Sequence, residues 1–238
     1  MKIGGFQKFS LLDYPGQLAA IVFTQGCNFR CPYCHNPELV EPERYTETIP
    51  EESVLAFLRG RIGKLGAVVI TGGEPTLHAN LPEFVRRIKE LGFLVKMDSN
   101  GSNPEVIERL VSENLVDYWA MDIKAPWHLY PLLTQNDVPA SSLQKSMDAI
   151  RRSGKDYEFR TTFFDSLLTW EDIEGIQEAL KPGDRFYLQQ CRYEKTLADL
   201  SLPNYEGGEH LHLDELPQCQ HLLNWADKHD IKVRLRTL

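Results

Sequence analysis

The chain has 238 residues, with 26 Lys and Arg against 34 Asp and Glu and a net charge of −8. That length suits one sizeable core, so 1–238 is expected to be a single domain, and the acidic balance argues against nucleic-acid binding, which needs a positive field. No apolar run reaches the ~20 residues that span a bilayer, and no h-region follows the first lysine, so a cytoplasmic protein off the membrane is expected.

Apolar runs alternate with amphipathic ones along most of the chain. Strands are predicted at 18–24, 67–71, 94–97, 116–121, 158–163 and 185–188, and helices at 51–59, 81–90, 104–112, 141–152 and 171–179. Pro104 follows Ser102-Asn103 and precedes Glu105, which is helix-start chemistry. Strands separated by one helix each argue for an α/β class with right-handed parallel βα units. In such a fold the strand ends share the face where sites form, so motifs far apart in sequence gather there.

After this core of about 18–190 the pattern changes. Pro203, Gly207 and Gly208 mark 193–213 as a long irregular loop, and 216–229 reads as a helix. Ile231, Val233 and Leu235 then alternate with Lys232, Arg234 and Arg236, a closing strand whose basic face reads as solvated.

Chemistry concentrates on one loop. Cys27, Cys31 and Cys34 stand in Gly26-Cys27-Asn28-Phe29-Arg30-Cys31-Pro32-Tyr33-Cys34-His35-Asn36, a Cys-x3-Cys-x2-Cys spacing. Soft thiolates favour iron–sulfur clusters and zinc. Three of them leave one iron of a four-iron cluster without a protein ligand, able to take a small molecule. A zinc site would close with a fourth ligand, which His35 could supply. The remaining cysteines, Cys191 and Cys219, read as small core residues, and an odd total of five gives no disulfide framework. A second motif, Val68-Val69-Ile70-Thr71-Gly72-Gly73-Glu74-Pro75, reads as a buried strand ending in a Gly-Gly turn, where backbone can come close to a ligand.

Together these motifs resemble the radical S-adenosylmethionine superfamily. The resemblance implies a partial (β/α)6 barrel in which Cys27, Cys31 and Cys34 hold a [4Fe-4S] cluster. It implies S-adenosylmethionine on the open iron, Gly72, Gly73 and Glu74 at the methionine amine, and Tyr33 against the adenine. It tightens at Tyr33-Cys34-His35-Asn36, like the pyruvate formate-lyase activating enzymes, which brings His35 into the cofactor-binding set. Asp98-Ser99-Asn100-Gly101 and Met121-Asp122-Ile123-Lys124 match that group's strand ends, adding Ser99, Asp122 and Lys124. Asp98, Ser99 and Asp122 also offer the hard oxygens of the monovalent cation such enzymes hold. Arg160 is expected to need a carboxylate or ribose partner, which puts it in the cofactor-binding set, with a core salt bridge as the alternative. Gln189 and Gln190 stand where the activating enzymes place a sixth-strand histidine, with His210 and His212 as more distant candidates.

The opening Phe9-Ser10-Leu11-Leu12-Asp13-Tyr14-Pro15-Gly16 is most similar to anaerobic ribonucleoside-triphosphate reductase activating proteins. The implied reaction is reductive cleavage of S-adenosylmethionine, with an electron from a flavodoxin- or ferredoxin-like donor, to a 5′-deoxyadenosyl radical. That radical takes hydrogen from a glycine of a glycyl-radical enzyme, with anaerobic ribonucleotide reductase the favoured partner. No catalytic residue is expected beyond the cluster and cofactor. Two other readings stand beside this one: a radical enzyme acting on a small molecule, such as 7-carboxy-7-deazaguanine synthase, and a non-catalytic zinc-binding interaction module.

Overall fold

The computed structural model describes residues 1–191, 196–198, 213 and 216–236. Strands β1 (Ile3–Ser10) and β2 (Ala19–Thr24) open the chain, followed by α1 (Pro37–Val40), α2 (Glu51–Arg59) and β3 (Ala67–Gly72). Next come α3 (Leu81–Glu90), β4 (Leu94–Ser99), α4 (Pro104–Ser112), β5 (Tyr118–Asp122), α5 (Tyr130–Thr134) and α6 (Ala140–Arg152). The chain continues through β6 (Asp156–Phe163), α7 (Trp170–Gln177), β7 (Arg185–Gln190), α8 (Pro217–Lys228) and β8 (Lys232–Arg236). Strand order follows chain order from β1 to β8. The six strands read from sequence are β2 to β7. Most of the 193–213 loop, with His210 and His212, lies outside the described residues.

Two compact units divide the contacts: Met1–Asn28, Asn36–Met121 and Pro139–Tyr157 form the first, and Phe29–His35, Asp122–Val138 and Glu158–Leu238 the second. In the first unit β1 runs antiparallel to β2, whereas β2, β3, β4 and β5 are parallel neighbours. Ala67 to Ile70 are wholly buried, as a parallel strand covered on both faces requires. Leu81, Phe84, Val85 and Ile88 fall at helical spacing and form the buried stripe of α3. Tyr14, Ala19, Ile21, Ala67, Val69 and Tyr118 pack together as one apolar cluster. Full burial of each larger side chain there contributes about 1.5–3 kcal/mol.

In the second unit β6, β7 and β8 are parallel neighbours. Alternate residues of the three strands therefore share faces. Phe159, Phe186 and Leu188 are fully buried on one face, and Arg160, Tyr187 and Gln189 lie on the other. Thr169 opens α7 with a reciprocal capping box to Asp172, which fixes where the chain turns back after β6.

Candidate cofactor site

The cysteine loop leaves the end of β2, and in the first unit its opening is strapped to the Gly-Gly-Glu turn at the end of β3. Gly73 N–H donates to Thr24 O at 2.9 Å, and Glu74 N–H donates to Gly26 O at 2.8 Å. A Cβ on Gly73 would stand 2.0 Å from Gly26 O, and one on Gly72, whose φ is +112°, 2.5 Å from Thr24 N. Gly73 therefore lets the cysteine loop's own backbone come close, and Gly72 does the same for the end of β2.

Glu74 is fully buried and turned into the protein. Its Oε1 accepts from Thr76 N–H at 3.1 Å, Thr76 Oγ1 at 2.6 Å and Ser99 Oγ at 2.9 Å, and its Oε2 accepts from Asn100 N–H at 2.6 Å. Burial raises its pKa, and the hydrogen bonds from Thr76, Asn100 and Ser99 only partly oppose that. This carboxylate ties the end of β3 to the end of β4. Asn100 carries the link onward: its Nδ2 donates to Asn28 Oδ1 at 2.9 Å and lies 3.9 Å from Cys27 Sγ. Asn28 Nδ2 in turn donates to Ser102 Oγ at 2.9 Å. Ser99 also accepts from Gly101 N–H at 3.0 Å, and Asp98 pairs with Lys96 at 3.0 Å.

In the second unit the predicted charges form one cluster. Lys124 Nζ donates to Asp122 Oδ2 at 2.8 Å, and Arg160 Nε donates to Asp122 Oδ1 at 2.9 Å. Burial would raise the pKa of Asp122, but the charges of Arg160 and Lys124 outweigh it and hold the carboxyl well below the usual range. Burial likewise works against the charge of Lys124, yet Asp122, Tyr33 and Cys31 around it push its pKa well up. The backbone is fixed too: Lys124 N–H donates to the Tyr130 hydroxyl at 2.9 Å, and Ile123 N–H donates to Arg160 O at 2.7 Å.

Cys31 and Tyr33 are buried beside this pair. Lys124 Nζ sits 6.0 Å from the centre of the Tyr33 ring, a cation–π distance. Burial pushes the Cys31 thiol up to about 11, with Lys124 pulling it down and Cys34 and Asp122 adding to the rise. Among the described residues the Tyr33 hydroxyl is buried with no hydrogen-bond partner. His35 Nε2 lies 3.5 Å from Cys191 Sγ, and Gln189 Nε2 donates to Thr162 Oγ1 at 2.8 Å.

The five cysteines are thiols without a disulfide. Among the described residues no group of three or more His, Cys, Asp or Glu side chains is arranged to hold a metal ion. The donor chemistry nonetheless fits the implied cofactors. Lys124 lowers and Asp122 and Cys34 raise the pKa of the Cys31 thiol, and among the described residues the buried Tyr33 hydroxyl has no hydrogen-bond partner. Sequence reasoning gave no site role to Asn28, Thr76, Asn100 or Tyr130. The signal for Asn100 was present in the Asp98–Gly101 motif, whereas Tyr130 carried none.

A sheet of parallel βα units with three thiols on the loop after its first parallel strand defines an enzyme class. The family model for the Radical SAM superfamily matches residues 21–181, and the chain belongs to that superfamily and is an enzyme of its kind. It is 34% identical over 211 residues to a Methanocaldococcus jannaschii protein named "Putative glycyl-radical enzyme activating enzyme", covering 84% of this chain and 86% of that one. A Listeria monocytogenes pyruvate formate-lyase-activating enzyme is 31% identical over 150 residues, 58% of this chain and 60% of its own length. The crystal structure of Streptococcus suis SuiB bound to S-adenosylmethionine superposes with a TM-score of 0.65 at 16% identity, over 92% of this chain and 49% of that one. The chain thus spans about half of SuiB, and the likeness gives the fold: the open partial barrel of radical S-adenosylmethionine enzymes. Among the described residues no helix is long and apolar enough to cross a membrane.

Proposed function

We propose that this enzyme generates a glycyl radical on a partner enzyme, with anaerobic ribonucleoside-triphosphate reductase the favoured partner. The observation that carries the reading is the 34% identity, across 84% of the chain, to the protein named as a glycyl-radical enzyme activating enzyme. The opening Phe9 to Gly16 motif supports the choice of reductase.

Cys27, Cys31 and Cys34 would hold the [4Fe-4S] cluster. Binding it displaces the proton that burial keeps on Cys31, and the charge of Lys124 assists. Bound there, the cluster would supply one-electron reduction of S-adenosylmethionine, fed by a flavodoxin- or ferredoxin-like donor, and so the 5′-deoxyadenosyl radical that would take hydrogen from the partner. Lys124 offers a cation to the methionine carboxylate, and Asp122 an anion to its ammonium. Gly72 and Gly73 offer backbone carbonyls, while Tyr33 packs against the adenine with Ser99, Arg160, Gln189 and His35 completing the pocket. Glu74 acts from behind, holding two strand ends in place. A monovalent cation at Asp98 would have to displace Lys96.

The test incubates reduced protein, S-adenosylmethionine and the reductase without oxygen and records electron paramagnetic resonance. A doublet that disappears when the partner glycine becomes alanine is expected. Turnover of a small metabolite, with no radical on any glycyl-radical enzyme offered, would overturn the reading.

A further inference from the structure

The basic side of strand β8 is exposed, and its cations belong to a larger face. The register pairs Arg185 with Lys232, Tyr187 with Arg234 and Gln189 with Arg236, and Arg160 with Tyr187 on the neighbouring strand. Neighbours in a sheet share a face, so Arg160, Arg185, Lys232, Arg234 and Arg236 lie on one side. On this side of β6 the carboxylates are Asp156 and Glu158, and β7 and β8 contribute none. In a chain of net charge −8 that is a strong local concentration of positive charge.

Part of the face is already organised. Arg236 donates to both oxygens of buried Glu158, at 3.1 and 2.9 Å, and its guanidinium stacks 3.9 Å from the centre of the Tyr187 ring. Lys232 and Arg234 are exposed, and among the described residues neither makes an ion pair. Also among the described residues, β8 ends the sheet, leaving one edge of its backbone without a neighbouring strand.

We propose that this face of β8 is a docking strip for an extended acidic segment of a protein partner. Lys232, Arg234 and Arg236 recur at every second residue, roughly 6.5 Å apart along a strand. An extended peptide with carboxylates at alternate positions repeats at the same distance, and its backbone can pair with the open edge as an added strand. Edge strands often carry lysine merely to deter pairing. That role needs no arginine locked by a buried glutamate and a tyrosine ring, an arrangement that pre-orders the strip for a ligand. A single-stranded nucleic acid would want bare aromatic platforms, and Arg236 covers Tyr187. From this strip the ion pairs Arg236–Glu158, Glu158–Arg160 and Arg160–Asp122 run toward the Asp122–Lys124 pair, so a segment held here would be tethered beside the cofactor residues of the same unit.

The proposal rests on the reading that the hydrogen donor is a protein, but its test is binding alone, so it can fail independently of the radical assay. The full-length protein is titrated into a fluorescein-labelled peptide with glutamate at alternate positions, and anisotropy is followed at low salt and at ~150 mM. Wild type is expected to bind and to weaken with salt, and a glutamine version of the peptide is expected not to bind. The double variant Lys232→Glu/Arg234→Glu should lose at least about tenfold in affinity with an unchanged melting temperature, while Lys232→Arg/Arg234→Lys retains binding. Equal binding of the glutamine peptide, equal binding by the double Glu variant, no binding by wild type, or tighter binding of oligothymidylate than of the acidic peptide would each overturn the proposal.

Discussion

Arg160 holds one oxygen of Asp122 at 2.9 Å while Lys124 holds the other at 2.8 Å, so a single carboxylate balances two cations at the end of β5. Asp122 is the last residue of β5, Lys124 follows it by two, and Arg160 comes from β6. Removing the carboxylate leaves two cations facing each other, whereas removing Arg160 still leaves the Asp122–Lys124 pair. The carboxylate is therefore the most sensitive point of the cluster.

Asp122→Asn is expected to lower stability at neutral pH by about 1–3 kcal/mol, the range for losing a charged hydrogen-bond acceptor. The pH dependence gives a sharper test. Asp122 is held below the ordinary carboxylate value of about 3.9, so its contribution is complete above that value and is lost as pH falls toward the folded one. The deficit of the variant should therefore shrink as pH drops below about 4. Urea unfolding of both proteins at several pH values checks this, and a deficit that does not change with pH would refute it.

Glu74 should behave in the opposite sense. Its pKa is raised by burial, so its contribution is fully present below the unfolded value and is lost as pH rises through the folded one. Four donors converge on this carboxylate, and the amide of Glu74→Gln would turn an N–H toward one of them in either orientation. A loss of about 1–3 kcal/mol is expected. Because the variant lacks the titrating group, its deficit should widen as pH falls toward about 4. The same series of urea unfolding curves reads both variants.

Much of this was legible in the sequence because burial periodicity and strand-end motifs are local signals. The predicted helix at 81–90 coincides with α3, where Leu81, Phe84, Val85 and Ile88 mark the stripe. Strand β1 was missed: Ile3-Gly4-Gly5-Phe6-Gln7-Lys8-Phe9-Ser10 opens with two glycines and buries only its two ends. Arg160 makes a salt bridge to Asp122, the alternative weighed against a cofactor partner, and the two-residue spacing of Asp122 and Lys124 did place both side chains together. What the sequence could not give were partners chosen by the fold, such as Tyr130 under Lys124, Asn100 against Asn28, and Glu158 gripping Arg236 from two strands away. Those depend on which loops, helices and strands the fold sets side by side, which no local pattern encodes.

The glycine turn separates conformational strain from steric exclusion. Gly92→Ala adds a methyl where φ is +88° but nothing stands within 4 Å, so only backbone strain of about 1–2 kcal/mol is expected. In Gly73→Ala the methyl would meet the Gly26 carbonyl, which is backbone and cannot swing away. That variant should lose more stability than Gly92→Ala and, by pushing Gly26 away, move the neighbouring Cys27. Iron and sulfide content after anaerobic reconstitution should fall in Gly73→Ala and stay at the wild-type level in Gly92→Ala. Equal iron content in the two would show that the Gly-Gly turn does not position the cysteine loop.

Tyr33→Phe gives the last test, because it removes a group that costs the protein something. The hydroxyl is buried without a hydrogen-bond partner among the described residues, and desolvation pushes its pKa well up. An unsatisfied buried polar group costs about 1–3 kcal/mol, so deleting the oxygen while keeping the ring should leave the melting temperature unchanged or higher. The ring's contact with Lys124 survives the change. If the hydroxyl is reserved for a ligand, the gain in stability should come with weaker S-adenosylmethionine binding by the reconstituted protein, measured by calorimetry. A lower melting temperature would mean that the hydroxyl has a structural partner. Unchanged S-adenosylmethionine affinity would mean that the ring alone, and not its oxygen, faces the adenine.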